Sequence, residues 1–270
     1  MQIIDTHNHS LPNIDDGAKS YEMALQMLQI SANEGITDVV LTPHHLNGAF
    51  NNIAEHVKHQ ASLLKQEADK QNIKVNLHTA SEIHLVPETI EHLLDGKALT
   101  YCDHGKAALL ELPKNSIPTG VERILSELVY QGITPIIAHP ERNSTLKHDF
   151  GQLKEWVSFG CKSQVTGQSC SGAFGSELQK ITMNMIADGL VHIVASDAHR
   201  PRGRSPSLID SIKAIQQHFN DDICNTLFCI NPLNLLEGKD LINVPIKPIR
   251  NKKKTAKKKK RSIINWLNNI

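Results

Sequence analysis

The sequence predicts an α/β chain whose parallel strands form a closed or nearly closed barrel, and three observations carry that prediction. Seven short apolar runs recur along the 270 residues, and six of them lead to a His, Asp or Glu able to ligate a metal ion. Amphipathic, helix-like stretches separate the runs, and several of these stretches end at a glycine. Ligating residues placed again and again just after a strand imply parallel strands, because the C-terminal ends of such strands converge on one face.

The elements follow in order. Ile3-Ile4-Asp5 runs into His7 and His9, and residues 20–34 carry Met23, Leu25, Met27, Leu28 and Ala32 on one face, with Gly35 at the C-cap position. Residues 38–41 lead to His44, a more polar helix spans 54–70, and residues 75–79 lead to Glu82. Residues 107–110 end at Glu111. A helix over 121–130 closes at Gly132, and residues 134–138 end at His139. A helix over 153–159 closes at Gly160, and the sixth run, 161–166, carries no obvious ligand. A helix over 178–187 closes at Gly189, residues 191–195 lead to Asp197 and His199, and 208–219 is again amphipathic. The segments at Gly35, Gly132 and Gly189 echo one another as helix end, glycine, buried strand, then ligand, which supports repeated α–β units. An open doubly wound sheet is the competing architecture, but only a minority of its strands would reach one pocket.

Composition sets the frame. Forty per cent hydrophobic residues suffice for one substantial core. The five cysteines form no CxxC pair, and the N-terminus lacks the basic-then-apolar design of a secretory signal, so reduced thiols and a cytoplasmic location are expected. No run is long and apolar enough to cross a bilayer. The net charge of +1 conceals an asymmetry: residues 247–261 hold ten Lys/Arg and no acid, leaving the rest at −9. The expected organisation is therefore a catalytic domain over 1–241 and a basic tail over 242–270. In the tail, Ile263, Trp266, Leu267 and Ile270 fall at i, i+3, i+4, i+7. A polybasic segment gains roughly 1 kcal/mol per Lys/Arg beside an anionic membrane, and the short apolar face adds a second signal. Peripheral contact with the inner face of a membrane is one reading of the tail. A solvated tail and loose nucleic-acid contact are the others.

The metal-ligand candidates are His7, His9, Glu82, Glu111, His139, Asp197 and His199, with Asp16 and His44 as additions. In His7-Asn8-His9 the alternation of an extended chain turns both imidazoles to the same side. A donor set of His, Asp and Glu without Cys suits Mn²⁺, Fe²⁺ or Zn²⁺ and disfavours a structural zinc site. Nine side chains exceed the needs of one ion, so a cluster of roughly two or three is expected. Asp15 is expected to be structural, and His45, His84, His92, His104, His148 and His218 are expected to be surface or satisfied residues. Arg142 and Arg204 stand near the strand ends and offer bidentate grips on phosphate oxygens, whereas Arg200 and Arg202 belong to a surface loop.

The chain resembles the PHP (polymerase and histidinol phosphatase) superfamily of metal-dependent phosphoesterases, and within it the bacterial manganese-dependent protein-tyrosine phosphatases of capsule and exopolysaccharide systems. The resemblance rests on Asp5-Thr6-His7-Asn8-His9, Ile14-Asp15-Asp16-Gly17-Ala18, Thr42-Pro43-His44-His45 with Asn47-Gly48, Ser81-Glu82-Ile83, Ala138-His139-Pro140-Glu141-Arg142, Gln164-Val165-Thr166, Ser196-Asp197-Ala198-His199 and Asn231-Pro232. It implies a distorted (β/α)7 barrel, a three-metal site using the nine side chains named above, and phosphate binding by Arg142 and Arg204. The tail departs from the pattern.

The expected activity is direct hydrolysis of phosphotyrosine on a protein, with the tail of a membrane tyrosine autokinase as the substrate that the resemblance suggests. A phenolate leaves with a pKa near about 10, so a dedicated general acid is less necessary. Phe50 could stack on the phenyl ring or simply pack. No cysteine is followed six positions on by arginine, which excludes the cysteine-based tyrosine phosphatases. A small-molecule phosphatase of histidinol-phosphate type is the alternative. A nuclease is disfavoured by the acidic body, and a non-catalytic binding protein by the complete ligand set.

Overall fold

The structure is a computed structural model and describes residues 2–244. The basic run and the Ile263/Trp266/Leu267/Ile270 face lie outside the described residues. Strands and helices alternate: β1 (Ile3–Asn8), α1 (Tyr21–Asn33), β2 (Ile36–Leu41), β3 (His44–His45), α2 (Ala54–Lys70), β4 (Asn76–Thr79), β5 (Glu82–His84), α3 (Thr89–Leu94), β6 (Ala107–Glu111), α4 (Val121–Tyr130), β7 (Thr134–Ala138), α5 (Gly151–Ser158), β8 (Lys162–Thr166), α6 (Gly167–Ser171), α7 (Ser176–Ala187), β9 (Ile193–Ala195), α8 (Ile209–His218), α9 (Asp221–Asn225) and α10 (Asn231–Leu236). Each expected strand forms, with ends shifted by at most three residues. No helix among the described residues is long and apolar enough to cross a membrane.

The expected α/β class holds, and all strand pairs are parallel, in two sheets ordered β1-β2-β4 and β3-β5-β6-β7-β8-β9. The division has a local cause. Pro43 has no N–H to give the ladder, and it lies between β2 and β3 just where Ala80 and Ser81 separate β4 from β5. Hydrogen bonds still cross the break: Ala80 N donates to Leu41 O at 2.9 Å and Glu82 N to Pro43 O at 3.1 Å. The free edges of β1 and β9 also meet. Asn8 bridges Ala198, Asp197 N donates to His7 O at 2.8 Å and His9 N to Ala198 O at 2.9 Å. Asp5 fastens this seam, accepting from Ser196 N at 2.8 Å and Ser196 Oγ at 2.6 Å.

Period-two alternation divides the core. One set, including Ala108, Leu110, Ile137, Val165 and Val194, packs with the helices. The other face of the same strands, with Ala107, Leu109, Ile136, Ala138 and Ile193, gathers with Tyr101, Leu235 and Leu241 into a second cluster. Helix α1 shows how the outer layer is made: Ser20 Oγ accepts from Met23 N at 3.1 Å as N-cap, and Ala24, Leu25, Met27 and Leu28 are buried.

His192, ahead of β9, is wholly buried, and its Nδ1 accepts the Ser163 N–H at 3.3 Å. Burial, with a smaller contribution from Lys162, depresses its pKa to about 3. The unfolded chain therefore takes up a proton near pH 6.5 that the folded chain refuses. This contribution to stability is present above pH 6.5 and is lost as pH falls from there toward 3. Urea denaturation at pH 7 and pH 5 should show His192→Asn losing roughly 2 kcal/mol less than the parent across that interval. Equal losses in the two proteins would refute the assignment.

Candidate metal centre

The strand ends carry the acid and imidazole groups to one place. His7 and His9 leave β1 on the same side, with their Nε2 atoms 3.1 Å apart. Glu82, at the start of β5 and fully buried, sits at the centre. Its Oε1 contacts His139 Nε2 at 2.9 Å, while its Oε2 lies 3.0 Å from His44 Nδ1, 3.2 Å from His7 Nε2 and 3.3 Å from His9 Nε2. Glu111 Oε2 is 3.6 Å from His44 Nδ1. Asp197 Oδ1 is 3.5 Å from both His7 and His9 Nε2, and Asp16 Oδ1 spans His44 and His199 at 3.3 and 3.2 Å. All nine candidates from the sequence thus meet. Three subsets each place their donor atoms within 4.8 Å of one another: His9, Asp16, His44 and His199; His7, His9 and Glu82; His44, Glu82 and Glu111. His84, expected to be apart, also edges the site, 3.6 Å from Glu111.

The donor set fits divalent ions. Glu82 Oε2, Asp197 Oδ1, His44 Nδ1 and His199 Nε2 are buried yet have no partner in hydrogen-bonding geometry, an expensive condition for groups without a ligand. Charge balance points the same way. Burial disfavours ionised Asp197, but His7, Arg204 and Arg142 overcome it and hold the carboxyl far below its usual range. Burial would also depress the two histidines. Glu82 and Asp16 nevertheless lift His44 to about 12, and Asp15 and Glu82 lift His9 to about 9. The acids therefore require cationic charge beside them. His199 moves the other way, to about 4, through burial and its neighbour His9, whose ring centroid is 4.0 Å away.

A second layer of residues sets the orientations. Asp15 is structural in this sense: its Oδ2 holds His9 Nδ1 at 2.7 Å and its Oδ1 accepts Gly17 N at 2.9 Å. A Cβ on Gly17 would stand 2.1 Å from His9 O, so this turn admits only glycine. The sixth strand, which carries no ligand, supplies Gln164, whose amide meets His7 Nδ1 at 2.8 Å. Sequence reasoning missed that role; a polar residue inside an apolar run was the available signal. His139 (φ 34°) and Asp197 (φ 51°) adopt left-handed backbone that turns each chain out of its strand. His139 N donates to Gln164 O at 2.7 Å, and that bond helps to hold the first of these bends.

Arg142 and Arg204 both bond Asp197 Oδ2, Arg204 at 2.6 Å, and their side chains are 30% and 31% exposed, open to a ligand from solvent. Arg200 and Arg202 are exposed in the intervening loop, as expected. Phe50 packs parallel to His44, 11° between planes and 6.3 Å between centroids, on a turn where Asn47 Oδ1 accepts Phe50 N at 2.8 Å.

A parallel α/β scaffold with an acid–histidine cluster at its strand ends defines the class of metal-dependent hydrolases. Residues 3–237 match the profile described as capsular polysaccharide synthesis, CpsB/CapC, and the chain belongs to that family. CapC of Staphylococcus aureus is 35% identical over 81% of this chain and 83% of its own. The tyrosine-protein phosphatase YwqE of Bacillus subtilis is 30% identical over 93% of this chain and 98% of its own. A crystal structure from the pair YwqE and Streptococcus pneumoniae CpsB, described as unique metal-dependent tyrosine phosphatases, superposes with a TM-score of 0.87 at 29% identity, covering 92% of this chain and all (100%) of that one. A phosphotriesterase homology protein of Escherichia coli shares the fold alone, with a TM-score of 0.52 at 11% identity.

Asp15→Ala should weaken Mn²⁺ binding, measured by isothermal titration calorimetry, by roughly 10–100-fold through the loosened His9, with far-UV circular dichroism unchanged. Unaltered affinity would remove Asp15 from the support of the site. Gly17→Ala should lower both metal affinity and melting temperature, because His9 must shift to admit the methyl group.

Proposed function

We propose that this chain is a metal-dependent protein-tyrosine phosphatase of capsule or exopolysaccharide synthesis that works with Mn²⁺. The observation that carries the reading is the convergence of nine His, Asp and Glu side chains beside two arginines that share one carboxylate oxygen. His7, His9, Asp16, His44, Glu82, Glu111, His139, Asp197 and His199 would hold the ions. When bound, divalent ions supply Lewis-acid stabilisation of phosphoryl oxygens and make water acidic enough to act as a nucleophile near neutral pH.

The chain's own groups do the rest. Arg142 and Arg204 each donate one N–H to Asp197 Oδ2, and their other N–H groups can grip the equatorial oxygens of a phosphoryl group and stabilise the charge that builds there. Asp16, half exposed at the rim, is kept ionised by the imidazoles of His199 and then His44, 3.2 and 3.3 Å away, so it has no proton to give a leaving group. A phenolate can depart without one, whereas a serine alkoxide cannot do so readily. An ionised Asp16 is therefore compatible with an aryl phosphate as substrate.

The finer architecture belongs to the same reading. We take β2 with β3, and β4 with β5, as two strands each interrupted once. That leaves seven strands, which the contact between Asn8 and Ala198 closes into a distorted (β/α)7 barrel. We take residues 1–241 as the catalytic domain, on which Ile242 and Val244 still pack. From sequence alone, residues 242–270 are a basic tail that meets an anionic membrane and holds the protein at its inner face, beside a membrane tyrosine autokinase as substrate.

Metal-stripped protein reloaded with Mn²⁺ should hydrolyse a phosphotyrosyl peptide at least roughly a hundredfold faster than its phosphoserine counterpart or histidinol phosphate, and EDTA should abolish turnover. Arg142→Ala or Arg204→Ala should lower kcat/KM by roughly 10²–10³-fold. Full activity after EDTA treatment would refute the metal chemistry. Preference for histidinol phosphate would keep the site but assign it to a metabolite. For the tail, vesicle flotation should recover the full chain with anionic lipid but not a form ending at Leu241.

A further inference from the structure

Beyond the two arginines lies a groove of 470 Å³, lined by Lys114, Lys147, Phe174 and Leu178 together with Arg142 and Arg204. A smaller space of 100 Å³, lined by Glu111 and His139, shares Lys114 and Arg142 with it. The groove therefore adjoins the metal cluster through the side chains that would hold phosphate.

The rim is a built structure. The loops after β6 and β7 are laced together: Ser144 N donates to Lys114 O at 2.9 Å, and Asn143 Nδ2 donates to Pro113 O at 2.8 Å and Ser116 O at 3.1 Å. Lys114 and Lys147 are thereby set on one frame. Seven of the fourteen lysines among the described residues are ion-paired, and Lys114 and Lys147 are among the seven that are not. Across the groove, Phe174 is 37% exposed, and the Arg142 guanidinium lies 5.9 Å from its ring centroid, a cation–π contact that leaves ring surface open. Two acids also line the space. Glu141 is buried, its Oε1 accepting from Thr166 N and Ser169 Oγ, and with Glu177 it sets two acids against four cations. A surplus of positive charge on an otherwise acidic body calls for an anion.

We infer that this groove binds a second anionic side chain of the phosphotyrosyl substrate, with Lys114 and Lys147 as specificity-determining residues and Phe174 as the apolar support beneath it. The inference rests on the tyrosine-phosphatase reading above. A glutamate and a second phosphotyrosine share the required chemistry, the latter carrying its charge on a ring that Phe174 and Leu178 can cover.

Steady-state kinetics of the Mn²⁺-loaded full chain on three peptides tests this: phosphotyrosine with neutral neighbours, with glutamate neighbours, and with a second phosphotyrosine. The parent should favour at least one anionic peptide over the neutral one by about three- to tenfold in kcat/KM, mainly through KM. The preferred peptide identifies the source of the anion. In Lys114→Gln/Lys147→Gln the ratio should fall toward one, and Phe174→Ala should raise KM on the preferred peptide. Equal kcat/KM on all three by the parent, or a preference that survives loss of both lysines, overturns the groove assignment while leaving the phosphatase reading intact. Failure of the parent to turn over any peptide overturns both.

Discussion

Glu82 is the constraint around which the rest of the site is arranged. A carboxylate with no exposure to water, contacted by four imidazoles, is tolerable only if cationic charge is kept close to it. Its neighbours Asp197, Asp16 and Glu111 deepen the demand. Protonated histidines can meet that demand in part, and divalent ions meet it better, because one ion satisfies several oxygens and nitrogens at once. Affinity for metal and the need to neutralise buried acid are therefore two aspects of one electrostatic fact. Protons and metal ions compete for the same lone pairs.

Holding such a cluster needs a rigid surround, and the fold provides it by crossing its own breaks. Asp5 joins β1 to the segment after β9, Gln164 steadies His7, and Asp15 with Gly17 steadies His9. The two left-handed residues, His139 and Asp197, show that local backbone preference gives way where a side chain must face the centre. Strain of this kind persists only when neighbouring hydrogen bonds over-determine the position, and at Asp197 the bond from its N–H to His7 O does so across the seam.

Much of this arrangement was legible in the sequence because strands and their C-terminal ligands are local patterns. An apolar run followed by His or Glu needs no knowledge of distant residues, and parallel pairing then brings the ends together. What escaped was non-local. Gln164 looks like a polar interruption until the β9 segment is placed between β8 and β1. His84 reads as a surface histidine until Glu111 arrives from β6. The break at Pro43 is visible as a proline, but its alignment with Ala80-Ser81 is a matter of register. The groove draws on loops after β6, β7 and β9 and on Phe174 before α7, four segments with no shared motif. Its lysines carried no sequence signal beyond their charge.

The seam between β1 and the segment after β9 has a temporal consequence. His7 and Asp197 are joined through backbone, yet nearly the whole described chain separates them. A ribosome must therefore extrude the polypeptide past His199 before the last donors can join the first. Until then the early histidines are an open arc with part of their ligand set. The protein is consequently inert until that point of its synthesis, and a premature stop ahead of Asp197 yields no weakened enzyme, only chain without a complete centre.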